Sequence, residues 1–351
     1  MSRNIVLKYC FVLSFLFSNI FLASCASYSY NPVGDNQQDF NLQPLSQKMR
    51  SYYDYPREIV AIKNNTDPVD PDLSYTVRHL KYPSISDNGQ KDNLVRGTFY
   101  KSKSKEKKPL IIILPLWGSY TYPVDETTED LIKDGNDRHV LLFKGKNFML
   151  DWKSAGEALT PEEFDIATTK MANRFKTHVT DLRRFIDWAE TQPTIDMSRI
   201  AIIGFSHSAL VASVASAVDP RIHTTITVMG GTNIHQILAN CSLERTDTLK
   251  KIITERFGWS KERYQQELKK NMKQLSLVNL QHRINPKNTL IIESAYDDCI
   301  PQTARDDLWK YSGYPDKFSY AYGHKTAFLS MTILGGYSLR HKIYNFLDKQ
   351  L

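Results

Sequence analysis

Residues 199–218, RIAIIGFSHSALVASVASAV, constrain this chain more than any other stretch. Ile200 to Ile203 form a continuous apolar run of the kind carried by a strand buried on both faces. Gly204 closes that run, Ser206 follows within two residues, and a segment rich in alanine and serine begins at once. No loop separates the two patterns, so a buried strand must turn directly into a helix. Strand and helix backbones then nearly touch, which small residues permit, and the serine side chain is pushed outward at the carboxyl end of the strand. The helix opens at His207, where backbone N–H groups carry partial positive charge and favour an anion. A serine in this place would equally serve as a helix N-cap.

The remaining pattern alternates strand with helix. Residues 74–83 and 93–102 alternate as strands, with the turn-like SDNGQKDN between them. Buried strands are expected at Leu110–Leu114, His139–Phe143, Arg199–Gly204, Ile226–Met229 and Thr289–Ile292, and a last strand at Phe318–Tyr322. Thr160-Pro161-Glu162-Glu163 has capping-box spacing with proline at the first helical position. The helix behind it carries Met171, Phe175, Val179, Leu182, Phe185, Ile186 and Ala189 on one face, a core stripe. This alternation predicts an α/β fold, a mostly parallel sheet with helices on both faces. Residues 232–286 interrupt it with amphipathic segments too long for a simple crossover, and are expected to form a helical cap over the strand ends. Their basic residues (Lys250, Lys251, Arg256, Lys269, Lys270, Lys273) read as solvated helix faces, with attraction of an anionic substrate or lipid headgroups as the alternative.

The amino terminus reads as an address. A basic start (Arg3, Lys8), the apolar run FVLSFLFSNIFLA and small residues at Ala23 and Ser24 make residues 1–24 an export signal. The run is interrupted, and shorter than the ~20 residues of a spanning helix. Leu22-Ala23-Ser24-Cys25 resembles the bacterial lipobox, which implies acylation of Cys25 as the first mature residue. Ala26, where aspartate would signal retention, implies the outer membrane and a domain facing the periplasm. Residues 25–56, polar and rich in Tyr, Asn and Gln, are expected to be a tether, and 57–351 the folded domain. Losing Arg3 and Lys8 lowers the formal net charge from +7 to +5. With no basic stripe interleaved with aromatics, nucleic acid is not expected as a partner. No CxxC or HExxH spacing marks a metal site, and neither metal nor cofactor is expected. Cys241 and Cys299 remain after the signal and the lipobox take the other two cysteines, and would pair in an oxidising envelope if brought together.

Gly204-Phe205-Ser206-His207-Ser208 resembles the G-x-S-x-G turn of the α/β-hydrolase superfamily, nearest its dienelactone-hydrolase-like esterases, with Ser208 replacing the last glycine. The resemblance covers roughly residues 93–349 and implies a nucleophile, an acid and a histidine in that chain order. Ser206 is then the nucleophile. The strand in TLIIESAYDDCIP ends in two aspartates. The family's acid sits four residues before such a proline, which points to Asp297, with Asp298 as the alternative. Tyr322-Gly323-His324-Lys325 supplies the base, His324. The His207 N–H would be one oxyanion donor. Leu114-Pro115-Leu116-Trp117-Gly118, standing where the family has H-G-x-G, offers the Trp117 N–H as the second, although Trp117 reads equally as a packing aromatic. The implied activity is a membrane-anchored serine hydrolase that cleaves a carboxylic ester or related acyl bond in a small or lipid-like substrate through an acyl-enzyme. The competing reading, to which Ser208 and the altered oxyanion loop lend weight, is a catalytically silent envelope lipoprotein of the same fold that binds a ligand or partner.

Overall fold

The apolar run at Leu110–Leu114 divides between two cores. Leu110, Ile112 and Leu114 belong to one cluster of buried side chains, Ile111 and Ile113 to the other. A strand with apolar groups on both faces needs cover on both, and helices supply it. The computed structural model describes residues 28–33, 40–57, 62–68, 72–85, 94–116, 121–133, 137–145, 152–332 and 337–351.

The strands are β1 (Tyr28–Asn31), β2 (Lys63–Thr66), β3 (Tyr75–Pro83), β4 (Leu94–Ser102), β5 (Lys108–Ile113), β6 (His139–Gly145), β7 (Ile195–Phe205), β8 (Ile222–Val228), β9 (Thr289–Ser294) and β10 (Asp316–Tyr320). They form one sheet in the order β1-β10-β9-β8-β7-β5-β6-β4-β3-β2. From β6 to β10 neighbouring strands run parallel, and both flanks are antiparallel. The chain reverses its direction of travel across the sheet between β5 and β7, the kind of switch point at which open α/β sheets bind ligands. One face is covered by helices Pro161–Ala189, His207–Val218 and Gln302–Tyr311, the other by Tyr122–Lys133, His324–Thr332 and Tyr337–Gln350.

The expected strands are all present, and the capping signal at Thr160 starts the long helix: its hydroxyl accepts the Glu163 N–H at 3.2 Å. The insertion is helical, as Ile234–Asn240, Glu244–Phe257 and Lys261–Met272. It opens at the carboxyl end of β8, and its apolar side chains merge with the main core instead of forming a separate one. Phe164 of the long helix meets Trp259 and Tyr264 at ring-centroid distances of 5.8 Å. Its charges pair along the helices, Lys250 and Lys251 with Asp247, Arg263 and Lys270 with Glu267.

The tether is corrected. Residues 28–31 form β1, an edge strand paired antiparallel with β10, and residues 47–53 form a helix capped by Ser46. Met49 and Tyr53 are each 2% exposed, and the Arg183 guanidinium donates to the Tyr53 carbonyl at 2.7 Å. Tyr53 buries its ring and donates its hydroxyl to the Gln274 carbonyl at 3.3 Å, so a Tyr-rich stretch without visible periodicity still docks. Cys25 and the export signal lie outside the described residues.

Cys241 and Cys299 are bonded, 58 residues apart. A closed loop of that length removes roughly 4 kcal/mol of chain entropy from the unfolded state. Replacing both cysteines by serine should lower the unfolding free energy by about 2–4 kcal/mol in urea titrations, with reduction of the wild type reproducing the loss. Coincident titrations of oxidised and reduced protein would refute this.

Candidate active site

β7 delivers Ser206 on a turn with no slack. Its backbone sits at φ 53°, ψ −120°, a region that non-glycine residues rarely enter and that the surroundings must hold. The Ser206 N–H donates to Val228 of β8 at 2.8 Å, and its carbonyl accepts the Ala209 N–H at 3.0 Å. Gly204 is required: a Cβ there would lie 2.3 Å from the Ser208 carbonyl oxygen. Ser208, the departure from the glycine pattern, is fully buried and acts as a strap. Its hydroxyl oxygen accepts the Phe205 N–H at 2.8 Å and donates to the Phe205 carbonyl at 2.9 Å. Local side-chain bonds of this kind are what small hydroxyl residues offer at helix starts.

The Ser206 hydroxyl points at His324, the first residue of helix His324–Thr332, with 3.0 Å between Oγ and Nε2. On its other side, His324 Nδ1 lies 2.7 Å from Asp297 Oδ2. The Asp297 carboxylate is fully shielded from solvent, and its second oxygen accepts the N–H groups of Cys299 at 2.8 Å and Ile300 at 2.7 Å. With a carboxylate accepting at Nδ1, the imidazole carries its proton there and turns a lone pair to the serine. Asp298 is exposed and turns elsewhere: its carbonyl accepts from the Ser242 N–H at 3.0 Å and hydroxyl at 2.9 Å. Three residues separated by 91 and 27 positions thus meet at the carboxyl ends of β7, β9 and β10.

The acid-bearing loop is braced at several points that the sequence did not advertise. Arg305, 3% exposed on helix Gln302–Tyr311, donates through one Nη to the Ile300 carbonyl and through the other to Ala295 at 3.2 Å. The disulfide and Ser242 hold the same loop from the insertion. Nothing in the string marks Arg305, because its two acceptors in the acid-bearing loop are backbone carbonyls, which any residue supplies.

His207 opens the 12-residue helix His207–Val218, so its N–H stands at the positive end of the helix dipole, beside the serine. Its ring lines a small apolar cavity with Met171, Ala172, Phe175, Ile234, Met272 and Leu275. Burial, with the nearby His178, pushes its pKa down to about 3, so the ring is neutral. Trp117, the expected second donor, lies outside the described residues. Among the described residues no three His, Cys, Asp or Glu side chains converge on a metal position.

Two further histidines make an acid-sensitivity prediction. Burial holds both His178, 5% exposed, and His235, 3% exposed, down at about 4 from a usual 6.5, with Lys269 adding to the shift of His235. Between those limits the unfolded chain binds more protons than the folded one. Stability therefore falls as pH falls, by about 1.4 kcal/mol per pH unit for each histidine. Urea midpoints followed from neutral pH downward should decline through this window, and less steeply in His178→Gln. A flat profile would contradict the burial argument.

A family profile described as "Glucuronyl esterase, fungi" matches residues 170–306, which include Ser206 and Asp297 but stop short of His324. No curated protein matches the chain by sequence. Among solved structures, an acetyl xylan esterase from Paenibacillus sp. R4 is similar with a TM-score of 0.61 at 14% identity, covering 89% of this chain and 98% of that one. Acetyl xylan esterase 1 from Thermoanaerobacterium sp. JW/SL YS485 is similar with a TM-score of 0.58 at 14% identity, covering 88% and 96%. An acylaminoacyl peptidase from Pyrococcus horikoshii gives a TM-score of 0.53 at 14% identity, covering 79% of this chain and 42% of that one.

Proposed function

We propose, from the premise that this chain has the α/β-hydrolase fold, that it is a serine hydrolase of carboxylic esters, lipid-anchored in a bacterial envelope. One observation carries the reading: an unbroken hydrogen-bonded line from Ser206 through His324 to Asp297, with the serine on a strained turn at the switch point of the sheet. The likeness to proteins named as esterases supports an ester over another acyl bond.

Each group has a task. His324 Nε2 takes the Ser206 proton as Oγ attacks the acyl carbonyl, and Asp297 stabilises the imidazolium and keeps the ring aimed. The carbonyl oxygen gains negative charge beside the His207 N–H, at the positive end of a helix. Collapse breaks the carbon–oxygen bond of the ester, and His324 returns the proton to the departing alcohol. Water, deprotonated by the same imidazole, then attacks the acyl-serine. It releases the carboxylic acid and restores the Ser206 hydroxyl.

The Cys241–Cys299 bond suits an oxidising compartment, as the export signal and lipobox reading of residues 1–25 requires. On that reading the domain sits on the outer membrane and faces the periplasm. The test of chemistry is a fluorophosphonate probe on the purified protein. Peptide mass analysis should find the adduct on Ser206, and folded protein that takes up no label would favour a ligand-binding role instead. The test of anchoring is labelled palmitate in cells: Cys25→Ala should abolish incorporation, and a variant still labelled would overturn the lipobox reading.

A further inference from the structure

With no long tether, the short stretch between the acylation site and the domain acquires a direction. Tyr28 begins β1 only three residues after Cys25, a reach of at most about 10 Å even fully extended. β1 runs antiparallel to β10, with Tyr28 opposite Tyr320 and Asn31 opposite Lys317. The chain therefore enters the fold at the carboxyl end of the parallel strands, the end that carries Ser206, Asp297 and His324, and His324 follows Tyr320 by four residues. Four strand spacings of ~4.8 Å separate β1 from β7. Anchor and nucleophile are thus within about 30 Å of each other on one rim of the sheet.

The entry point is packed against β10. The Tyr30 ring stacks on Phe318 with centroids 4.6 Å apart, and its hydroxyl donates to Asp316 at 2.9 Å. Tyr28 packs against Phe318 and Tyr320, with the Lys342 ammonium 4.9 Å from its ring centre. Both tyrosines remain 44–48% exposed, and amphipathic aromatic rings beside a lysine suit the headgroup layer of a bilayer.

We propose that the lipid anchor holds the catalytic rim against the membrane, with the β1 edge as the contact surface, and that the substrates are carboxylic esters presented at the bilayer surface. This rests on the hydrolase and lipobox readings above. A domain on a long flexible tether would sample all orientations, whereas one fixed a few residues from its acyl chains keeps a single face to the lipid.

The test uses the acylated full-length protein reconstituted into vesicles of phosphatidylethanolamine and phosphatidylglycerol. Two probes are compared: methylumbelliferyl palmitate dissolved in the vesicles and water-soluble methylumbelliferyl acetate. A flexible Gly/Ser segment of about 30 residues inserted between Ser27 and Tyr28 releases the orientation over a range of about 30 Å without entering the fold. The insertion should lower turnover of the vesicle ester about fivefold or more and leave acetate hydrolysis unchanged, with Tyr28→Ser/Tyr30→Ser moving the same way. Equal or faster vesicle turnover after insertion overturns the orientation. Loss of the anchoring reading would show separately as an unacylated amino-terminal peptide, and loss of the hydrolase reading as acetate turnover that survives Ser206→Ala.

Discussion

Ser206→Ala should fold normally and lose about 10⁵-fold in kcat on an ester substrate. The hydroxyl is partly exposed and contributes no helix-capping bond, so its removal leaves the elbow standing. The strap that closes the turn belongs to Ser208. His324→Ala should cost about as much, and the double variant little more, because the two groups act as one unit. Asp297→Asn should lower kcat about 10³–10⁴-fold by presenting the wrong hydrogen-bond partner to the imidazole. Asp298→Asn should stay close to wild type, since that side chain is exposed and its contacts are with Ser242. Parallel kinetics on the four single variants and the double variant decide the matter: equal losses at 297 and 298, or a Ser206→Ala protein with normal turnover, would end the relay mechanism.

Gly204→Ala should be the most damaging substitution of one methyl group in the described chain. Its Cβ would lie 2.3 Å, 2.7 Å and 2.8 Å from the carbonyl oxygen and carbon of Ser208 and the Cα of Ala209. All three are backbone atoms at the start of helix His207–Val218, and no rotamer change clears them. The helix must move off the strand, at a cost of at least about 3 kcal/mol, and the serine moves with it. Gly230→Ala provides the contrast. Its Cβ meets the Ala209 side chain at 2.3 Å, so Gly230→Ala with Ala209→Gly should recover much of the loss. Urea titrations of these proteins check both statements, and a Gly204→Ala protein as stable as wild type would remove the close-approach argument for this turn.

Much of the architecture was legible because it is written in local periodicity. Ile200 to Ile203, Leu110 to Leu114 and the stripe from Met171 to Ala189 each declare an element and a buried face within a dozen or so residues. Ser206 stood out because it follows directly on such a strand, while Asp297 and His324 were picked out by the chain order that the resemblance to the α/β-hydrolase superfamily implies. The antiparallel edge was less visible. β2 is four polar residues that pair only because β3 already exists, and β1 is a short tyrosine-bearing strand that needs the Phe318 and Tyr320 rings to pack on.

By itself the amino-acid order determined a mostly parallel sheet between helix layers and a serine at an obligatory turn. These depend on neighbours a few positions apart, whose steric demands hold whatever the remainder of the chain does. Only the tertiary structure decided that Asp297 and not Asp298 faces the imidazole, that Cys241 meets Cys299, that Arg305 closes the acid loop, and that Tyr28–Asn31 of the supposed tether join the sheet. Each of those outcomes turns on an ångström-scale distance between residues far apart in sequence. Such distances are set when the whole core packs, and no short window of residues contains them.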